Sequence, residues 1–316
     1  MGMAAETALM RMQHHPMAQK RSCSIVVLAW LVAFVLFFSG TDQAKADYVF
    51  TTLDVPGSTF TTVAGINNLG QIVGNSSAGS FLLSGGNFTR LNLPAPPNGI
   101  NDFGQIVGGN FIYSGGSYTT LNAGPGIFDS TTASGINNAG QVVGFTYNVR
   151  SLETISFLYS GGTYTTNLIP DLHYQPAFGI NNVGQVVGQA LSFGYRFDIG
   201  DGSTGEFSVK PDASNTSAHG INDFGQIVGY WNLPDGIHHA FLLSGDSYTT
   251  FDVPGATMTD AYGINNAGEI VGTYVDVGGV QHGFVATPTA EPSTVLLVGI
   301  GMLSLIRWAW PRKKRG

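Results

Sequence analysis

Short apolar runs alternate with polar turns along residues 47–290, and one phrase of ten positions recurs at each alternation. It reads Gly-Ile-Asn, then Asn/Asp-x-Gly, then Gln/Glu-Ile/Val-Val-Gly, and its copies begin at Gly65, Gly99, Gly135, Gly179, Gly220 and Gly263. Asn at the first turn position and Gly at the fourth favour a type I turn closed by a left-handed glycine. Adjacent β-branched residues favour a strand buried on both faces. Each phrase therefore predicts a β-hairpin.

A second hairpin follows most copies of the phrase. Phe81-Leu82-Leu83 leads into Ser84-Gly85-Gly86 and then Phe88, with counterparts at 111–118, 157–164 and 241–248 and a looser version at 197–207. One unit is thus four strands in about 40 residues, which is typical of a propeller blade. Six such units predict an all-β, six-bladed β-propeller of four-stranded antiparallel blades.

The ends of the repeat array predict how the ring closes. The last repeat stops after its third strand, at Gly283-Phe284-Val285, whereas residues 50–57 resemble the fourth strand at 248–255. We expect residues 48–55 to complete the blade that begins near Gly263, which leaves no open sheet edge. A linear solenoid would instead need distinct polar caps at its ends, and the sequence of the repeats shows none.

Composition narrows the function classes. Gly is 44 of 316 residues without a three-residue period, which excludes collagen, and 43% hydrophobic residues are too many for a disordered chain. Residues 47–290 contain four basic and 17 acidic residues, a net charge of −13. Phosphate backbones repel such a domain, so no nucleic acid partner is expected. Cys23 is the only cysteine and precedes the mature domain, so no disulfide or cysteine–metal site is expected.

Both termini carry short apolar stretches. Ile25 to Phe38 follows basic residues and precedes the small residues Ala44 and Ala46, which is typical of a signal peptide cleaved after Ala46. A membrane anchor is the alternative, but 14 residues span only about 21 Å of a roughly 30 Å core. The second stretch, Val295 to Ile306, ends in aromatic and basic residues. The predicted domains are a signal peptide at 1–46, a propeller at 47–286 and a sorting or anchor segment at 287–316.

Two resemblances rest on these residues. His239-Ala240-Phe241, His282-Gly283-Phe284 and the recurring phrase resemble the extracellular His-Ala-Phe repeat family, which implies the repeat fold and export but no agreed activity. Ala290-Glu291-Pro292, the apolar segment and the basic tail resemble a PEP-CTERM sorting signal. That resemblance implies a Gram-negative bacterium, tail removal near Glu291 and Pro292 by an exosortase-like enzyme, transient membrane contact and a biofilm or polysaccharide setting.

Some residues could bind a metal or a substrate, but each of them also has a simpler structural explanation. His239 and His282 are equivalent in adjacent blades and could form a metal pair, or each could pack beside the aromatic residue of its strand. Asp198, Asp201 and Glu206 could bind calcium, or they could merely lengthen one hairpin. Arg90, Arg150 and Arg196 fall at different repeat positions, so they do not converge on a substrate carboxylate. We expect no metal, no cofactor and no catalytic residue.

Variation between repeats points to one face. The hairpin turns are nearly constant, whereas the loops between second and third strands vary and hold the candidate binding residues Tyr147, Arg150, Tyr230, Trp231 and Tyr274. The residues before each Gly-Ile-Asn vary too: Ala64, Asn98, Ser134, Phe178, His219 and Tyr262. Trp231, the only tryptophan outside the terminal segments, is expected to be exposed and to stack on a sugar, with core burial as the alternative. Neutral drift of surface loops would also explain the variation.

These observations predict an exported, cell-surface or extracellular-matrix protein that acts as a binding or structural module, with extracellular polysaccharide as a candidate ligand. Signal peptidase and an exosortase-like enzyme would process it. The alternative is an extracellular carbohydrate-active enzyme. The two differ in whether paired carboxylates converge on the variable face at separations of about 5 or about 6.5–9.5 Å.

Overall fold

The computed structural model describes residues 47–123, 130–148, 152–169 and 174–289, and all regular structure in them is β-strand. Within these ranges there is no helix long and apolar enough to cross a membrane. The first strands in chain order are β1 (Tyr48–Leu53), β2 (Thr61–Ile66), β3 (Ile72–Ser76), β4 (Gly79–Ser84), β5 (Asn87–Arg90), β6 (Gly99–Ile100), β7 (Ile106–Gly108), β8 (Phe111–Ser114) and β9 (Ser117–Thr120). The next are β10 (Ser130–Ile136), β11 (Val142–Asn148), β12 (Glu153–Ser160), β13 (Thr163–Thr166), β14 (Ala177–Ile180), β15 (Gln185–Ala190), β16 (Phe193–Asp198) and β17 (Thr204–Phe207). The last are β18 (Asn215–Ile221), β19 (Ile227–Asn232), β20 (His238–Ser244), β21 (Ser247–Phe251), β22 (Met258–Ile264), β23 (Ile270–Val275) and β24 (Gln281–Pro288).

The strands form six four-stranded antiparallel sheets, each the blade of a propeller. Five blades use four consecutive strands, from β2–β5 to β18–β21, and the sixth has the order β1-β24-β23-β22. The fold class expected from the repeats is thereby confirmed.

The N-terminal strand closes the ring. β1 pairs with β24 from Tyr48↔Pro288 to Leu53↔Gly283, and the Thr289 N–H donates to the Asp47 carbonyl over 2.8 Å. The spare first strand therefore completes the last blade, as the sequence predicted, and this leaves no unpaired edge between first and last repeats.

Each inner turn is built on the asparagine of Gly-Ile-Asn. Asn67 Oδ1 accepts hydrogen bonds from the Leu69 and Gln71 N–H groups, and the Gly70 N–H donates to the Asn67 carbonyl. Gly70 has φ +71°, the left-handed conformation that glycine adopts without a Cβ clash. The predicted turn with a left-handed glycine is thus confirmed.

Neighbouring blades approach most closely at the glycine of Gly-Ile-Asn. A Cβ at Gly65 would lie 3.2 Å from Gly99 Cα, one at Gly220 would lie 2.9 Å from Gly263 Cα, and one at Gly179 would lie 2.4 Å from the His219 carbonyl oxygen. A side chain would force the backbone apart at Gly179 and Gly220 and would be tightly packed at Gly65.

The same asparagines bond blade to blade. Asn67 Nδ2 donates to the Asn101 carbonyl of the second blade over 2.9 Å, and Asn265 Nδ2 returns the bond to the Asn67 carbonyl over 3.4 Å. The four intervening bonds are made by Asn101, Asn137, Asn181 and Asn222. The hydrophobic core lies between blades: one cluster joins Val143 and Leu158 to Ala177 and Tyr195 of the next blade.

We predict that Gly179→Ala destabilises the propeller by about 2 kcal/mol or more, because its Cβ would overlap backbone that has no room to shift. Thermal or denaturant unfolding of the purified protein measures the change. Gly205→Ala is the matched control: Gly205 lies on the outer strand β17 with no atom within 4 Å of a new Cβ. Equal stability of the two variants would contradict the close-approach argument.

Candidate functional site

The two faces of the ring differ in construction. One face, called the hairpin face, carries the turns within each hairpin; the other, called the loop face, carries the loops between second and third strands and the connections between blades. A central cavity of about 510 Å³ opens on the loop face. All six residues that precede Gly-Ile-Asn line it: Ala64, Asn98, Ser134, Phe178, His219 and Tyr262.

A β-bulge aims these side chains at the cavity. The pairing of the first and second strands skips one residue before Gly-Ile-Asn in five of the six blades, at Ala64, Ser134, Phe178, His219 and Tyr262. In the remaining blade the Asn98 N–H donates to the Val107 carbonyl instead. An extra residue in one strand turns its side chain out of the ladder, and here it turns toward the axis.

Aromatic rings from the fourth, fifth and sixth blades form one wall of the cavity. Phe178 stacks on His219 with centroids 4.4 Å apart and an interplanar angle of 8°. Behind this pair, Tyr230 lies 5.3 Å from His219 and stacks on His238 at 4.3 Å. Tyr262 meets the His219 ring edge-on at 5.1 Å. The rings support one another, so the cavity has a rigid apolar wall.

Asp260 ties this wall together. His238 Nδ1 lies 2.8 Å from its Oδ1, and the Tyr262 hydroxyl donates to its Oδ2 over 3.2 Å. His219 Nε2 lies 2.9 Å from the Ser217 hydroxyl, which holds the imidazole in place. Asp260 is the only carboxylate, and no lysine or arginine is found, among the described residues that line the cavity.

Burial sets the protonation of the wall. It lowers the pKa of His219 to about 4, a shift that the nearby Asp260 opposes and His238 reinforces. It also raises the pKa of Tyr262, and the charge of Asp260 adds to that rise. His219 is therefore neutral and Tyr262 is protonated at pH 7, so both present uncharged polar groups beside the single acid.

The opposite wall offers amides and hydroxyls. Asn98 Nδ2 donates to the Ala133 carbonyl over 2.8 Å, which fixes the amide with its oxygen available. Hydroxyl groups beside it in the cavity lining come from Thr62, Thr132 and Ser134. A cavity with one aromatic wall and one hydroxyl and amide wall fits an uncharged ligand that has both an apolar face and many polar groups.

The loop positions predicted for the candidate binding residues need correction. Tyr147 lies on β11, Tyr230 and Trp231 on β19, and Tyr274 on β23, because the second strands extend further than the repeat phrase suggests. Tyr147 is exposed, Tyr230 supports the aromatic wall, and Tyr274 donates or accepts a hydrogen bond with Thr52. None of these four residues lines the cavity, although Tyr230 packs behind its aromatic wall against His219, and Arg150 lies outside the described residues.

Trp231 is a core residue. Its side chain is 4% exposed and packs with Val209 and Phe241, and Lys210 Nζ lies 4.3 Å above the ring. The expectation of an exposed indole is wrong, because alternation along β19 sends Tyr230 toward the axis and Trp231 into the space between blades.

The histidines pack on aromatic rings as the structural explanation expected, but on rings of the neighbouring second strand instead of their own strand. His239 stacks on Trp231 and pairs with Asp252, and His282 stacks on Tyr274 and pairs with Asp54. Asp198 and Asp201 accept backbone N–H groups of their own hairpin, and Glu206 lies on β17. Within the described ranges, no three His, Cys, Asp or Glu side chains come together as a metal site. The processing residues Ala44, Ala46, Glu291 and Pro292 lie outside those ranges.

The cavity residues were visible in the sequence only as variation. The position before Gly-Ile-Asn changes while the three residues after it stay constant, and three of its six occupants are aromatic or imidazole rings. Asp260 and His238 gave no such signal, since neither belongs to the recurring phrase.

Comparisons with known proteins bear on the fold alone. No family model and no curated protein matches the chain. A solved structure of a luciferin-regenerating enzyme superposes with a TM-score of 0.52 at 11% identity, covering 77% of this chain and 96% of that one. A structure of YCF48 bound to a D1 peptide gives 0.42 at 11% identity, covering 78% and 98%. The first likeness supports the propeller; at such identity neither says what this protein binds.

Two histidines should give the stability opposite dependences on pH. His219 has a lowered pKa, so the unfolded chain binds its proton more tightly, and stability falls as pH drops from about 6.5 toward about 4. For His282, burial lowers the pKa, but hydrogen bonds and charges from Asp54 and Asp276 more than offset it and raise the pKa. The stability that His282 contributes is present below about pH 6.5 and is lost as the pH rises through the raised pKa of this histidine.

The opposite pH dependences of the two histidines are tested by melting temperatures measured across a range of pH. His219→Gln should reduce the loss of stability on acidification, and His282→Gln should increase it. Histidine NMR titration gives the two pKa values directly. A His219 that titrates above 6.5, or two variants with the same pH profile, would contradict the assignment.

Proposed function

We propose that the protein is an exported surface or matrix binding module that holds a neutral saccharide in the central cavity of the loop face. The observation that carries this proposal is the pairing of the Phe178–His219 aromatic wall with a hydroxyl and amide wall in one cavity without basic side chains in its described lining.

The chemistry of the lining selects the ligand class. A pyranose ring has an apolar C–H face that stacks on an aromatic ring and hydroxyls that pair with amides and carboxylates. Acidic sugars, phosphates and sulfates are usually held by Arg or Lys, and the described lining contains neither. The net charge of −13 over residues 47–290 also opposes polyanions.

Binding fits the lining better than glycoside cleavage. Most glycosidases act with two carboxyl groups flanking the bond, one as acid and one as base or nucleophile. Asp260 is the only carboxylate among the described lining residues, and both its oxygens are engaged by His238 and Tyr262. The alternative of a carbohydrate-active enzyme therefore finds no second acid there.

Export remains part of the proposal on the basis of the terminal segments. Signal peptidase would release the chain at Asp47, and an exosortase-like enzyme would remove the tail near Glu291 and Pro292. We predict that mass spectrometry of protein from the native cell surface finds an N-terminus at Asp47 and no peptide from 295–316. Intact tail peptides would show instead that the segment stays as an anchor.

Saccharide binding has a matched pair of tests. Phe178→Ala should weaken binding of neutral polysaccharide fragments at least about tenfold, because it removes the stacking surface. Phe193→Ala is the control: Phe193 is an exposed aromatic residue on the same face and does not line the cavity. Calorimetry and a glycan array with neutral and acidic members would measure both, with circular dichroism to check folding.

Asp260→Asn should also weaken saccharide binding. Saccharide recovered after incubation with the wild-type protein should keep its original chain length, because the proposed function involves no cleavage. Preference for acidic glycans, or binding lost in Phe193→Ala and kept in Phe178→Ala, would overturn the proposed site. Shortened ligand would favour the enzyme alternative.

A further inference from the structure

The hairpin face carries a ring of exposed apolar side chains around the axis. The third residue of each inner turn points to solvent, and the six are Leu69, Phe103, Ala139, Val183, Phe224 and Ala267. Phe103 and Phe224 are each 74% exposed. They belong to the second and fifth blades, so they stand on opposite sides of a six-membered ring. Side chains of the loop face such as Val277 are as exposed, so the hairpin face is distinguished by the arrangement of its apolar side chains in one circle around the axis.

Hydrogen bonds between successive turns hold the tips at one level. The Asn68 N–H donates to Asp102 Oδ1 over 2.8 Å, and the Asn266 N–H donates to Asn68 Oδ1 over 2.8 Å, which closes the circle. The four bonds between have the same form. The apolar tips thus form a rigid and nearly planar circle, which matches a flat surface better than a groove or a protruding segment.

The only charged residues of the inner turn tips are two aspartates, and neutral amides hold them in place. Asp102 Oδ2 accepts from the amides of Asn68 and Asn138, and Asp223 Oδ2 accepts from Asn182 and Asn266. Burial by itself raises the pKa of Asp223, but these hydrogen bonds more than offset it and lower the pKa. The six inner turns contain no Lys or Arg. Attraction to anionic headgroups therefore has no source here, and a partner must be recognised by its apolar character.

Both ends of the propeller leave from this face. Tyr48 begins β1 beside Pro288, which ends β24, and Pro288 lies next to Gly268 of the sixth inner turn. Five residues, 290–294, separate Thr289 from the apolar segment that begins at Val295. Fully extended, this connection reaches about 21 Å. Before the tail is removed, an apolar segment that enters a bilayer would hold the hairpin face close to it.

We propose that the hairpin face rests on the surface of a lipid bilayer, with Leu69, Phe103, Val183 and Phe224 at the interface. Phe and Leu side chains bury into that boundary, and a circle of them beside the short tether of the uncleaved chain presents them to it together. The central cavity then opens away from the membrane. This inference does not depend on which ligand the cavity takes.

The test uses the full chain on phosphatidylcholine vesicles, in a Cys23→Ser background. Single Phe103→Cys, Phe224→Cys and Val277→Cys variants carry an environment-sensitive dye, and lipids with nitroxide groups quench it. Val277 is the control, because it is 87% exposed in the loop between β23 and β24 on the opposite face. We expect the dyes at positions 103 and 224 to be quenched at least about threefold more than the dye at position 277. Nitroxide quenching falls steeply with distance from the lipid, and apolar side chains at the boundary stay in contact with the lipid.

A second measurement compares vesicle partitioning. The Phe103→Ser/Phe224→Ser double variant should partition about tenfold more weakly than Val277→Ser, because two exposed rings no longer leave water. Adding phosphatidylglycerol should not restore it. Saccharide binding in solution should be the same in all variants, so a failure here is separate from a failure of the cavity site.

Equal quenching at all three positions, or no vesicle binding by the full chain, would overturn the proposal. Protection of the 103 and 224 dyes without lipid, rising with protein concentration, would also overturn it, because it would show that a second copy of the chain covers this face.

Discussion

Close approach of the innermost strands is the constraint on which the rest of this propeller depends. Six strands meet around one axis, and a Cβ at the glycine of Gly-Ile-Asn would overlap the backbone of the next blade. The asparagine two positions later then becomes the link between blades, because its Nδ2 reaches the carbonyl of the neighbouring asparagine. Its Oδ1 folds its own turn at the same time. One residue thus joins local turn geometry to ring assembly, which explains why the phrase recurs with so little change.

The same constraint determines where chemistry is possible. The bulge before Gly-Ile-Asn sends one side chain per blade toward the axis, above the glycine contact where the ring widens into the cavity. A substitution at the bulge position leaves the inner turn, the glycine contact and the asparagine hydrogen bonds unchanged. Residues as different in size as Ala64 and Tyr262 can therefore occupy the same position of neighbouring blades in a ring whose backbone is nearly regular. In this protein the large rings fall in adjacent blades, so they form a wall instead of being scattered around the axis.

The fold was largely predictable because each of its decisive features is local or repeated. Turn residues, adjacent β-branched residues and the spare strand at 50–57 are legible without knowing any distant contact, and pairing of β1 with β24 agrees with them. The site was less predictable. The lengths of β19 and β23 depend on the strands paired with them, so Tyr230 and Tyr274 were assigned to loops that the structure does not form there. Burial of Trp231 depends on Val209 and Lys210 from the preceding connection, more than twenty residues away.

Asymmetry between the faces follows from how each is stabilised. On the hairpin face, the backbone and side chains of every inner turn bond to the next turn, so a changed residue there affects its neighbours around the ring. On the loop face, the residues that differ between repeats cluster around the cavity. A ring that is held rigid at one end can vary at the other without loss of closure. Rigidity at the hairpin face also keeps the rings of Phe178, His219 and Tyr262 in register although they come from three different blades. The cavity of the loop face and the apolar circle of the hairpin face are thus two consequences of one arrangement of turns, placed at opposite ends of the same axis.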